Sequence, residues 1–194
     1  MIVGLTGHSG SGKTTVAGIF SQLGFYHVDC DRLVHTSVYA DPLVHSALAR
    51  GFGAGVVKDG SIDRRVLASI IFSDEQKYAC LMQTLTPFIR AAVLDEIKKH
   101  SNGNVLVDAP ALFEYGLETT CDITMSVISD NAISRIIDRD GISEEEAKKR
   151  LAHQKSHDFY IKNSDYVIKN NGSLDDLKTQ TTKIYEQIMK GVAI

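Results

Sequence analysis

The chain has 194 residues, of which 43% are hydrophobic, enough for one well-buried core but short of two comfortable domains. A net charge of −3 carries no global basic bias and so gives no electrostatic footprint for nucleic acid. Three widely spaced cysteines, Cys30, Cys80 and Cys121, fit neither a disulfide framework nor a zinc site, and their expected role is packing. The N-terminal apolar run is too short for a secretory or membrane segment, so the expectation is a cytoplasmic protein with no membrane association.

Ile2 to Thr6 reads as a strand, and Gly7-His8-Ser9-Gly10-Ser11-Gly12-Lys13-Thr14 follows it directly with the spacing G-x-x-x-x-G-K-T. A helix-competent stretch from Thr14 to Gln22 comes next, so successive backbone N–H groups and a helix N-terminus converge on one anionic site. The pattern implies a bound nucleoside triphosphate, with Lys13 reaching the β- and γ-phosphates and Thr14 holding Mg2+. Phe25 to Asp29 is a second β-favouring run that delivers Asp29 and Asp31 to a strand's carboxyl end. From about 32 to 100 the sequence predicts a helical insertion without convincing strands. Ser73 starts an S-x-x-Q capping pattern there, and Pro87 is expected to divide the following helical stretch in two.

Asn104 to Asp108 is an apolar strand ending in an acid, which makes Asp108 a second Mg2+ candidate, acting directly or through water; an acid that merely terminates a strand is the alternative. Asp122 to Ile128 reads as a strand and Asn131 to Asp138 as a helix, with Arg135 and Arg139 at i and i+4 on one face. Ser143 opens a further helix carrying Arg150. Tyr166 to Ile168 is a last short strand, and Ser173 caps a final helix. Strands alternating with helices argue for the α/β class, with a parallel sheet covered on both sides.

The loop alone leaves open whether the γ-phosphate passes to water, to a small molecule or nowhere. The second half offers what phosphoryl transfer needs: Asp31 to orient or deprotonate an acceptor hydroxyl, and Arg135, Arg139 and Arg150 as a closing lid, although charge pattern alone favours a solvated helix face for those arginines. A nucleotide switch is the rival class. Asp138 to Gly141 has the form D-x-x-G, yet it follows a helix, and Asn163-Ser164-Asp165 lacks the lysine of a guanine-reading N-K-x-D.

Gly4 to Thr15 as a whole is similar to the opening signature of the dephospho-CoA kinase family, G-L-T-G-x-x-G-S-G-K-[ST]-T. Asp29-Cys30-Asp31 matches its D-A-D motif, and Phe52-Gly53, Asp59-Gly60, Ile62-Asp63-Arg64, Leu67 and Phe72 resemble elements of its CoA-binding helical region. Asp108 to Glu114 resembles D-x-P-L-L-F-E, Arg150 to Gln154 resembles the lid motif R-x-x-x-Q, and Asp165 to Ile168 with Asn170-Asn171-Gly172 completes the series. Their order and spacing, over nearly the whole chain, carry the identification.

That resemblance implies transfer of the γ-phosphate of ATP to the 3′-hydroxyl of the ribose in dephospho-CoA, giving ADP and CoA. It implies a single kinase domain, 1–194, similar to the P-loop and nucleoside-monophosphate kinases: three layers, a five-stranded parallel sheet in 2-3-1-4-5 order, a helical substrate insertion at about 32–100 and a lid at about 139–156. Asp31 would be the base, aided in catalysis by Lys13 and Arg139. Gly10, Ser11, Gly12, Lys13, Thr14 and Thr15 would hold ATP together with Arg135, Arg139 and Arg150. Asp31, His35, Asp63, Arg64, Pro110 and Leu112 would touch the acceptor, and Thr14 and Asp108 the Mg2+. No nucleic acid or obligatory protein partner is expected. The chain departs from the family pattern at His8, a common loop glycine; at His35, often arginine; at Thr86, usually the histidine of His-Pro; and at Ala132, frequently glutamine. Histidine is disfavoured wherever the loop demands a positive φ, and His35 would weaken a substrate contact or make it pH-dependent. The i, i+4 pair His153 and His157 lacks a nearby third ligand for a metal.

Overall fold

The computed structural model describes residues 1–71, 74–152 and 154–191. In chain order the elements are β1 (Ile2–Gly7), α1 (Lys13–Gln22), β2 (Tyr26–Asp29), α2 (Cys30–Thr36), α3 (Pro42–Phe52), β3 (Val57–Lys58), β4 (Ser61–Ile62), α4 (Arg64–Ile71), α5 (Glu75–Lys99) and β5 (Val105–Asp108). They continue with β6 (Ile123–Ile128), α6 (Ala132–Asp140), α7 (Glu144–Ala152), α8 (His157–Asn163), β7 (Tyr166–Lys169) and α9 (Leu174–Met189).

Five strands form one parallel sheet in the order β2-β5-β1-β6-β7, which is 2-3-1-4-5 when its strands alone are counted. Alternation along the central strands feeds two cores. Val3, Leu5 and Leu106 point to the face covered by α1 and α9, where Phe20, Phe25 and Tyr185 meet edge to face. Val105 and Val107 point to the opposite face, into the core shared with α2 to α5. Gly4 is on that second face, and a Cβ there would lie 2.8 Å from Cys121 Sγ and 3.0 Å from Leu112. The missing side chain lets the β5–β6 connection pack directly onto the sheet.

Three features of the 32–100 region differ from the sequence expectation. A small hairpin, β3 with β4, turns through Asp59 (φ 50°) and Gly60 (φ 73°), the Asp-Gly pair that a two-residue turn favours. Strands of two residues are too short to show an alternating pattern, which is why the sequence reads as strandless there. Pro87 does not divide the helix, since α5 runs unbroken from Glu75 to Lys99. Leu81 and Leu85 before the proline and Ile89 and Val93 after it are buried on the same face, and that packing outweighs one lost backbone bond. The start of α5 is capped by Asp74, which accepts from the N–H groups of Gln76 and Lys77 at 2.9 and 3.2 Å. The capping role expected of Ser73, the expected position of Phe72 and the His153 half of the histidine pair lie outside the described residues.

The other caps follow the sequence. Ser143 and Glu146 exchange hydrogen bonds at the start of α7, and Ser173 and Asp176 form a capping box on α9. Helix α6 extends to Asp140, one turn-fraction beyond the expected end at Asp138, and so carries both Arg135 and Arg139. Among the described residues, no helix is long and apolar enough to cross a membrane.

Candidate active site

The carboxyl ends of β1, β2 and β5 come level, with Asp29 paired in register to Asp108 and Leu5 to Asp108. A cavity of about 580 Å3 opens above that edge, lined by the loop from Gly7 to Thr14 and by Asp31, Pro110, Arg135, Arg139 and Gln154. The loop can take its shape because Gly10 and Gly12 are left-handed, with φ of 75° and 98°, and because neighbouring backbone and side chains press against both. A Cβ on Gly10 would lie 2.5 Å from Ala132 O, and one on Gly12 would lie 2.3 Å from Asn170 Nδ2. His8 escapes the penalty expected at a loop glycine: the one described non-glycine residue with a positive φ is Asp59.

Lys13 and Thr14 begin α1, so both sit at its positive end and both line the cavity. The Lys13 ammonium is ion-paired with Asp108 Oδ1, while His27 Nε2 lies 3.1 Å from Asp108 Oδ2. Burial opposes ionisation of Asp108, but the contacts with His27 and Lys13 outweigh it and hold the carboxyl below its ordinary value. Asp108 therefore ends its strand as a buried carboxylate engaged at both oxygens. His27 carries no sequence signal for this role, because its partner is 81 residues away across the β2–β5 pairing.

Asp29 and Asp31 do different work. Asp29 caps α2 by accepting from Arg32 N at 2.9 Å. Asp31 faces the cavity, and its carboxyl has no hydrogen-bond partner among the described residues. Burial by the surrounding walls raises its pKa, Lys13 opposes the rise, and Asp29 and Asp108 add to it.

On the opposite wall, Arg135 Nη2 lies 3.4 Å from Asn170 Oδ1, and its Nη1 is buried without a partner among the described residues. Asn170 also donates to Ser11 O at 2.7 Å, so one buried amide braces the phosphate loop and the arginine together. Arg139 makes a two-point contact with Asp140, 2.6 and 2.8 Å, and reaches Ser9 Oγ at 3.3 Å. Arg150 is ion-paired with the same Asp140 and does not line the cavity. Hydrogen bonds from Arg139 and then Arg150 hold Asp140 down to about 2. Gln154 Oε1 accepts from Ser9 N at 2.8 Å, which attaches the segment after α7 to the loop.

A second, smaller cavity of about 200 Å3 adjoins the first through Asp31, Pro110 and Gln154, with Tyr78, Glu114, Tyr115 and Tyr160 as its other principal walls. Pro110 thus touches both spaces. Leu112, expected at the acceptor, is fully buried against Gly4 in the core and reaches neither, because the chain turns after Ala109, with Leu112 N donating to Ala109 O at 3.2 Å, and carries that side chain onto the sheet. His35 stands one turn beyond Asp31 on α2, its ring 5.6 Å from that of Tyr39. Asp63 caps α4, accepting from Arg65 and Val66 N–H groups at 3.1 Å, and Arg64 is exposed beside it. None of these three lines the two cavities. Sequence reasoning had no mark for Tyr78, Tyr115 or Tyr160, whereas Glu114 and Gln154 lie inside segments singled out by motif. Among the described residues, no group of three His, Cys, Asp or Glu side chains is placed to hold a metal.

A family profile described as dephospho-CoA kinase matches residues 1–176. The chain belongs to the dephospho-CoA kinase family. The dephospho-CoA kinase of Latilactobacillus sakei is 33% identical over 191 residues, covering 96% of this chain and 95% of that protein. Among solved structures, the Thermus thermophilus protein TT1252 superposes with a TM-score of 0.79 at 30% identity, covering 100% of this chain and 98% of that one. The dephospho-CoA kinase of Campylobacter jejuni gives 0.72 at 27% identity, covering 98% of both chains. Membership in this family makes the chain a kinase that transfers phosphate from ATP.

Proposed function

We propose that the paired cavities are the transfer site of a dephospho-CoA kinase in which Asp31 stands between the two substrates. The reaction moves the γ-phosphate of ATP to the 3′-hydroxyl of the ribose in dephospho-CoA and completes coenzyme A synthesis. The observation that carries the residue assignment is the position of Asp31, which lines the phosphate-loop cavity and the adjoining smaller one alike.

ATP phosphates lie along the N–H groups of Gly10 to Thr15, drawn by the end of α1. Lys13 leaves Asp108 for the phosphates, and His27 remains to hold the carboxylate it vacates. Asp31 takes the proton of the 3′-hydroxyl as that oxygen attacks the γ-phosphorus, and the bond to the bridging oxygen breaks to release ADP. Arg135 offers its free N–H groups, and Arg139 its guanidinium, to the equatorial oxygens. Thr14, whose hydroxyl is at the loop's end in the cavity wall, and Asp108, a carboxylate behind it that Lys13 would release, are oxygen donors of the kind Mg2+ takes. When bound, Mg2+ would neutralise negative charge on the transferring phosphates.

The region 32–100 forms the acceptor wall, with His35 as a polar contact and Arg64 as its cation. The segment 139–156 acts as a lid, in which Arg150 holds Asp140 and so helps to aim Arg139. The reaction needs two small-molecule substrates and no protein partner or nucleic acid, and its setting is the cytoplasm. The test is ADP formation from ATP and Mg2+ with and without dephospho-CoA, the product being checked by mass spectrometry for one added phosphate. Acceptor-dependent ADP together with CoA supports the reading, and ADP release indifferent to dephospho-CoA would overturn it.

A further inference from the structure

The smaller cavity has a composition that selects one part of the acceptor. Its volume of about 200 Å3 is below the roughly 300 Å3 at which pockets for whole ligands begin, so it accommodates one moiety and not a nucleotide. Tyr78, Tyr115 and Tyr160 supply aromatic surface, and Glu114 supplies an exposed carboxylate with no hydrogen-bond or ion-pair partner among the described residues. Phe113 and Phe159, edge to face at 5.3 Å, fix α8 against the segment that carries Glu114 and Tyr115.

With the 3′-oxygen at Asp31, an adenosine extends from that point in two directions, through its base and through its 5′-pyrophosphate. Two surfaces lead away from Asp31. One is the smaller cavity, whose free charge is negative. The other continues along α2 to His35, Tyr39 and the exposed Arg64, whose guanidinium suits a pyrophosphate. A carboxylate repels a pyrophosphate but accepts a hydrogen bond from an exocyclic amine, and tyrosine rings stack on a purine.

We infer that the cavity walled by Tyr78, Tyr115, Tyr160 and Glu114 receives the adenine of the acceptor, and that Glu114 reads its 6-amino group. The inference rests on the transfer reaction proposed above. Glu114 is thereby a specificity-determining residue, and the base occupies the β5–α8 side of Asp31 instead of the α3–α4 wall.

Two acceptors assayed on two proteins test it. The acceptors are dephospho-CoA and its analogue with hypoxanthine in place of adenine, and the proteins are the native chain and Glu114→Gln. Hypoxanthine presents a carbonyl oxygen where adenine presents an amine, so the native carboxylate disfavours it, with an expected loss of about 10- to 100-fold in kcat/KM carried mainly by KM. The glutamine amide can donate to that oxygen, so Glu114→Gln should shrink or reverse the preference. The ratio of the two acceptors on one protein is insensitive to a general loss of folded enzyme. Equal use of both acceptors by the native chain, or an unchanged preference in Glu114→Gln, overturns the adenine assignment while leaving the kinase reaction intact. No turnover of dephospho-CoA by the native chain overturns both.

Discussion

A carboxylate that serves as a base must be ionised, and the walls around Asp31 make ionisation harder. Burial raises its pKa, with Asp29 and Asp108 adding to the effect of burial and Lys13 opposing it. The acidic limb of the kcat/KM profile should therefore fall at a pH above the ordinary aspartate range, because the protonated form persists to higher pH. Asp31→Asn should reduce kcat by roughly 10²- to 10⁴-fold while ATP affinity stays within a few-fold, measured by steady-state kinetics beside nucleotide titration. An unchanged kcat would remove Asp31 from the chemistry. Gly12→Ala should instead destroy nucleotide binding, since the new Cβ meets Asn170 Nδ2 at 2.3 Å on a backbone whose φ of 98° resists any side chain. At this scale the sequence is legible where chemistry is local. Lys13, Thr14 and Asp31 stand out by spacing along one stretch of chain. His27 does not, because it meets Asp108 only through strand pairing, and Leu112 misleads because neither motif nor spacing says which way its side chain turns.

Elements bring their own constraint where the phosphate loop meets α8. His8 Nδ1 lies 3.0 Å from Ser9 O, its Nε2 accepts from Ser129 N at 3.2 Å, and His157 Nε2 is 2.8 Å from the same nitrogen. A ring that donates at Nδ1 and accepts at Nε2 is neutral, and protonation would set N–H against N–H. Burial lowers the His8 pKa first of all, the Ser9 carbonyl opposes this, His157 lowers it further, and Asp130 opposes. Tyr160 also faces the ring, at 6.5 Å between centroids. The sign follows directly: the unfolded chain binds the proton more readily, so the stability contributed by neutral His8 is present above the ordinary histidine value and lost as pH falls through the lowered one. Thermal melts at pH 7.5 and 5.5 should show a smaller drop for His8→Gln, which keeps an acceptor without titrating, than for the native chain. Equal drops would assign the acid sensitivity elsewhere. The order of these elements was legible from periodicity and caps. The unbroken α5 was not, because its continuity through Pro87 depends on burial along the core-facing side, which no local pattern records.

For the whole molecule, the cavity draws its lining from β1, α1, α2 and α6, which lie far apart in sequence, so nucleotide bound there as proposed would be linked to folding. The sheet order was legible only through the family resemblance, since hydrophobic runs give strands without saying which are neighbours. Lys13 is largely buried against Asp108, with 15% of its side chain exposed. In the proposed reaction the same lysine leaves Asp108 to meet the phosphates, so its removal should act both with and without nucleotide. Lys13→Met should lower ligand-free stability by about 1–3 kcal/mol, because Asp108 keeps His27 but loses one charged partner. The native chain at 100 times its ATP Kd should gain about 2.7 kcal/mol. For a chain of this size that corresponds to a rise of roughly 5–10 °C in Tm. Lys13→Met should lose most of that rise at the same ATP concentration. A variant that melts lower than the native chain yet shows the full nucleotide-induced rise would confine Lys13 to its structural pairing with Asp108, and would separate the folding role of the ion pair from phosphate binding.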